Sequence, residues 1–147
     1  MRFMMIVKAN KASEEGVLPD AALIAAMGKF NEEMVNAGVL LAGEGLQSSA
    51  KGARIYFSGG KRKVVDGPFT ETKELIAGFW LIQVKSKEEA VEWALRSPAP
   101  HGENEDGQIE LRQVFELADF PEEVLPREAA EAEQALRDKM EGAAGKR

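Results

Sequence analysis

The chain has 147 residues, 44% of them hydrophobic, and carries 19 basic against 25 acidic side chains for a formal net charge of −6. That length and apolar content suffice for one buried core, and the acidic balance argues against a nucleic-acid surface, which draws its affinity from clustered Lys and Arg. Cysteine is absent, which excludes a disulfide framework, a thiolate nucleophile and a cysteine zinc site, and suits a reducing cytoplasm. The apolar stretch at Met1 to Asn10 is too short for a secretory leader, and no apolar run reaches the roughly 18 residues of a membrane span. A cytoplasmic protein that does not bind membranes is therefore expected.

Taken in chain order, Arg2 to Ala9 alternates Phe3, Met5 and Val7 against Met4, Ile6 and Lys8, with apolar residues on both faces, as in a central strand. Leu23, Met27, Phe30 and Met34 recur at helical spacing and Gly38 follows, which predicts an amphipathic helix. A short strand at Val39 to Ala42 runs into Gly43-Glu44-Gly45. Arg54 to Phe57 and Lys63 to Val65, joined through Gly59-Gly60, predict a tight hairpin.

Gly78 to Lys85 reads as a second strand buried on both faces. Ser86 opens a helix with Glu89 at capping-box spacing, Ala90, Val91, Ala94 and Leu95 form its expected core face, and Pro98 stops it. The last strand is expected at Gln108 to Phe115. Residues 1–120 thus form one domain and residues 121–147 a charged, Ala-rich terminal helix and tail. In that helix Ala129, Ala132, Leu136 and Met140 make an apolar stripe that docks lightly or on a partner subunit.

The predicted fold class is α+β, a ferredoxin-like βαββαβ arrangement with an antiparallel sheet, an extra β-hairpin and a C-terminal helix. Two helices cannot cover both faces of such a sheet. The uncovered apolar face is expected to be buried in a homodimer whose sheets face each other, leaving clefts for a small-molecule ligand.

Candidate chemistry rests on carboxylates and cations. Asp66 precedes Gly67-Pro68 and reads either as a turn-initiating acceptor or as a general base at a cleft mouth. Glu44 lies between two glycines, which allow either close approach to a bound molecule or a β-bulge. These two are the catalytic candidates. Glu110 and Arg112 share one face of the last strand, Arg54 and Tyr56 share another, and Lys73 stands with Glu71 and Glu74. Arg112, Glu110, Arg54 and Lys73 are the substrate-binding candidates, with structural ion pairing or simple solvation as the alternative for each. His101, the single histidine, lies in a polar loop and reads as solvated. No Walker loop, dinucleotide fingerprint or metal-ligand spacing is present, so no cofactor and no metal is expected.

Gly43-Glu44-Gly45-Leu46, Asp66-Gly67-Pro68-Phe69, Glu71-Thr72-Lys73-Glu74, Gly78-Phe79 and Glu110-Leu111-Arg112 together resemble the DGPF branch of the YCII-related proteins, from Met1 to about Glu116. The resemblance implies the dimeric α/β barrel superfamily, whose members include enzymes acting on small organic molecules without bound cofactors. Two departures stand out. Gln113 follows Arg112 where family members often carry Pro, and the first helix lacks the histidine that more distant relatives pair with an aspartate, so a histidine-dependent mechanism does not carry over. A small-molecule-binding protein or cofactor-independent enzyme is the leading expectation, with a non-catalytic interaction or regulatory module as its rival.

Overall fold

The computed structural model describes residues 1–143. The chain divides into two compact units, Met1–Val114 and a second from Phe115 onward. In the first unit the order is β1 (Arg2–Lys8), α1 (Lys11–Glu14), α2 (Ala21–Asn36), β2 (Leu40–Gly45), β3 (Ala53–Ser58), β4 (Lys61–Asp66), β5 (Ile76–Gln83), α3 (Lys87–Arg96) and β6 (Ile109–Gln113). Single 3-10 turns stand at Ser49–Lys51 and Thr72–Glu74. β2, β5, β1 and β6 form an antiparallel four-stranded sheet in that spatial order. This is the ferredoxin-like arrangement the sequence predicts, with β3 and β4 set aside as a separate two-stranded hairpin.

Alternation sorts the sheet residues between two faces. Phe3 and Met5 of β1 and Trp80 and Ile82 of β5 point to the helix side, where they join Phe30 and Met34 of α2 and Ala90 and Trp93 of α3 in one buried cluster. The aromatic centre has directional contacts. The Phe30 and Trp80 rings meet edge to face at 5.4 Å, Trp93 stands 6.3 Å from Phe30, and the Trp80 indole N–H donates to Asn31 Oδ1 at 2.7 Å. Burying each of these large side chains contributes about 2–3 kcal/mol, so the aromatic cluster dominates the placement of both helices.

Local signals set the element ends. The Asp20 carboxylate accepts from the Leu23 N–H at the start of α2. Ser86 Oγ accepts from the Glu89 N–H as a capping residue should, but the Glu89 carboxylate reaches the Lys85 N–H rather than the Ser86 N–H, so the capping box is only half formed. One expectation fails. The core face of α3 is Ala90 and Trp93 with Ala94 beside them, whereas Val91 and Leu95 are exposed. The helix is rolled so that Trp93 reaches Phe30, where the aromatic contact adds to the area the indole buries.

Strand bounds differ modestly. β2 extends through Gly43 and Glu44 to Gly45, since Gly43 gives room to the Trp80 indole: a Cβ at Gly43 would lie 2.8 Å from Trp80 Cδ1. β6 stops at Gln113. At the hairpin tip Gly59 and Gly60 take φ of 56° and 77°, the two consecutive positive values that a tight two-residue turn requires.

The second unit holds a 3-10 turn at Leu117–Asp119 and α4 (Arg127–Ala143). The Phe115 and Phe120 rings pack at 5.0 Å. α4 buries none of its own residues, Leu136 and Met140 of the apolar stripe are exposed, and Arg127–Glu131 and Glu133–Arg137 pairs run along its surface. No helix among the described residues is long and apolar enough to cross a membrane.

Candidate functional site

The second face of the four-stranded sheet has no helix against it in the first unit, and the register brings three of the candidate residues onto it. One cross-strand row runs Glu44, Phe79, Ile6, Glu110 and the next runs Ala42, Leu81, Met4, Arg112. Each row is apolar in the middle and polar toward an edge. Strands about 4.8 Å apart separate the Glu44 and Glu110 backbones by roughly 14 Å, the span of a molecule of one or two rings. Met4, Ile6, Phe79 and Leu81 are only half-buried, so the floor between the charged edges is open.

The charged groups differ in how committed they are. Arg112 donates to Glu110 at 3.4 Å, but the Arg112 side chain is 71% exposed and the pair is solvent-screened, so most of its five N–H donors stay free for an anion. Glu44 is exposed and makes no side-chain hydrogen bond or ion pair among the described residues, which leaves both carboxylate oxygens available as acceptors. The flanking glycine Gly43 serves Trp80 rather than an external molecule.

Asp66, Arg54 and Lys73 belong to a second locality, around the foot of the hairpin. The Asp66-Gly67-Pro68-Phe69 turn is held by its backbone. The Gly67 N–H donates to the Gly52 carbonyl at 3.0 Å and the Phe69 N–H donates to Ser49 Oγ at 3.0 Å. A Cβ on Gly67 would run into the Ser49 carbonyl oxygen, so only glycine fits. The Asp66 carboxylate is exposed and unbonded among the described residues, so the turn does not depend on it. The Arg54 guanidinium lies 3.9 Å from the centre of the Phe69 ring, and Lys73 is exposed on the 3-10 turn.

Residues without any local sequence signal tie this foot down. The Glu14 carboxylate accepts from both the N–H and the Oγ–H of Ser49, and Ser48 Oγ donates to the Glu14 carbonyl at 2.6 Å. Glu14, Ser48 and Ser49 thereby link α1, the 3-10 turn and the Gly67-Pro68 turn. Their pairing across about thirty-five positions leaves no periodic pattern to read. His101 is a correction as well: its half-buried ring donates from Nε2 to the Lys8 carbonyl at 2.9 Å, fastening the 98–107 loop to the end of β1. No group of three or more metal-ligating side chains converges among the described residues.

A model of the YCII-related domain matches residues 1–118. The chain belongs to the YCII-related family. It is also 34% identical over 85 residues to an uncharacterized protein of Rhizobium meliloti (strain 1021), a match covering 58% of this chain and 64% of that relative. The aligned part thus spans somewhat less than two thirds of the relative's length. All six candidate site residues fall inside the family match. Glu44, Glu110 and Arg112 share the open sheet face, while Asp66, Arg54 and Lys73 gather at the hairpin foot.

Proposed function

We propose that this YCII-related chain is a member of the DGPF branch and works as a homodimer in which two open sheet faces oppose each other and enclose a cleft for a small, largely apolar molecule carrying an acidic group. One observation carries the reading: the paired rows Glu44-Phe79-Ile6-Glu110 and Ala42-Leu81-Met4-Arg112 set an apolar floor between charged edges. An apolar face of this kind favours cover over water, and a second copy of the same face is the economical cover.

In this reading Glu44 accepts a proton or hydrogen bond from the ligand, Arg112 holds its anionic group, and Glu110 orients Arg112. Asp66, with Arg54 and Lys73, contributes from the hairpin foot as a second carboxylate and an anion-attracting rim. Residues 1–120 are the working domain and residues 121–147 a charged, Ala-rich helix and tail. The chemistry in this reading is cofactor-independent proton transfer, and the absence of cysteine suits a cytoplasmic setting. A non-catalytic interaction module is the rival reading, favoured by the pairing of Arg112 with Glu110 on its own strand and by the exposed stripe of α4.

The test is a thermal-shift screen against a chemically diverse metabolite collection, repeated with Glu44→Gln and Arg112→Ala. A ligand that binds only the folded state raises the melting temperature. Hits lost in both variants support the cleft; hits indifferent to both, or none at all, move the weight to the interaction module.

A further inference from the structure

The hairpin presents an unusual amount of apolar surface for its size. Ile55, Phe57 and Val64 are 50%, 68% and 65% exposed, and the register places all three on one face of the ribbon together with Arg62, whose guanidinium lies 4.9 Å from the centre of the Phe57 ring. An isolated two-stranded hairpin is marginal in water, so this face calls for a partner. Its tip is basic. Lys61, Arg62 and Lys63 are consecutive, exposed, and form no ion pair among the described residues of a chain whose net charge is −6.

The complementary surface lies elsewhere in the same unit. A groove of about 550 Å³ runs between α3, the 98–107 loop and β6; its wall includes Val91, Leu95, Pro98 and Leu111, and Glu105 and Asp106 stand at it. Leu95 is 79% exposed, and neither acid has an ion-pair partner among the described residues. We infer that the β3–β4 hairpin of one copy docks in the α3–β6 groove of a second copy, with its apolar face on Val91 and Leu95 and Arg62, the basic residue of that face, against Glu105 and Asp106.

The inference rests on the facing-sheet pairing proposed above. With a two-fold axis running along the strands between two sheets of order β2-β5-β1-β6, each β2 edge lies over the partner's β6 edge. The hairpin leaves the chain just after β2, and strands of six residues make an arm about 20 Å long. The arm then wraps the β6 edge to its helix side, covering a strand edge that is otherwise open. Sign and shape match together: apolar to apolar, basic to acidic.

Because the chain has no cysteine, single introduced thiols are unambiguous. Ser58→Cys and Leu95→Cys proteins are prepared separately, mixed, and treated with a short thiol-to-thiol cross-linker, with light scattering run alongside. A cross-linked dimer in the mixture and in neither protein alone is the expected result. Arg62→Glu, on the docking face, should lower its yield about fivefold, and Glu105→Lys with Asp106→Lys in the second copy should restore it. A dimer by scattering with no cross-link overturns the hairpin docking and leaves the facing sheets standing. A monomer overturns both. Leu95→Cys copies that link to one another assign the groove to a like surface instead, which also overturns the inference.

Discussion

The four-stranded sheet and the β3–β4 hairpin are built from similar strand sequences, yet they are held by different physics. The sheet is positioned by burial: Met5 and Ile82 are fully buried in the cluster that α2 and α3 join, and the fold follows from where apolar surface leaves water. The hairpin is positioned at its foot by hydrogen bonds and one steric fit, with Glu14, Ser49 and Gly67 as the fastening, and its upper strands are exposed on both faces. A strand's place is thus fixed by a core in one case and by a short polar latch in the other. The sheet spends one apolar face on the core and keeps the other half-buried, whereas the hairpin leaves its apolar side chains largely exposed.

Ile82→Ala should give the largest loss, about 2–5 kcal/mol in urea unfolding, because a cavity forms where nothing can reach in to fill it. Phe57→Ala under dilute conditions should cost less than about 0.5 kcal/mol, as for other exposed positions. Equal losses at the two sites would erase the distinction. At the hairpin foot, Gly67→Ala should cost about 2–4 kcal/mol, because the new methyl must displace the Ser49 backbone. Gly43→Ala should cost about 1–3 kcal/mol by pushing on the Trp80 indole.

The latch itself is checked by Ser49→Ala, expected to lose about 1–2 kcal/mol and to speed amide exchange at Phe69 ahead of exchange in β1 and β5. If exchange at Phe69 is unchanged, the foot is held by something other than Ser49. Smallest of all, Arg112→Ala should change stability by less than about 0.5 kcal/mol, since its pair with Glu110 is solvent-screened. That limit applies at dilutions where the chain is monomeric, and a larger loss at concentrations where the sheets pair is what the covered face predicts.

Elements defined by periodic burial were readable from the chain. The α2 spacing of Met27, Phe30 and Met34 and the two-sided alternation of β1 and β5 each have a single geometric solution, and the Gly59-Gly60 turn has a backbone requirement few other residues meet. The roll of α3 was not readable, because Val91 and Leu95 are as apolar as the positions that turn inward. Only the aromatic partner Phe30, more than fifty residues away, selects Trp93. The same holds for the site. Glu110 and Arg112 were placed on one face by simple alternation, but that Glu44 shares it depends on the irregular register between Leu40 and Ala42. Glu14, Ser49 and His101 act through contacts far apart in sequence, which no local pattern announces.

The placement of the two tryptophans has a practical consequence for optical work. Trp80 and Trp93 both flank Phe30 on the helix side of the sheet, so intrinsic emission reports the integrity of that cluster. It is nearly blind to the opposite side, where Phe79 and Leu81 alternate with Trp80 along the same strand. A molecule settling on the open face would leave the emission spectrum almost unshifted while raising the temperature at which it collapses. Spectral silence on titration is therefore compatible with binding, and the melting curve followed at the same wavelength is the signal to watch.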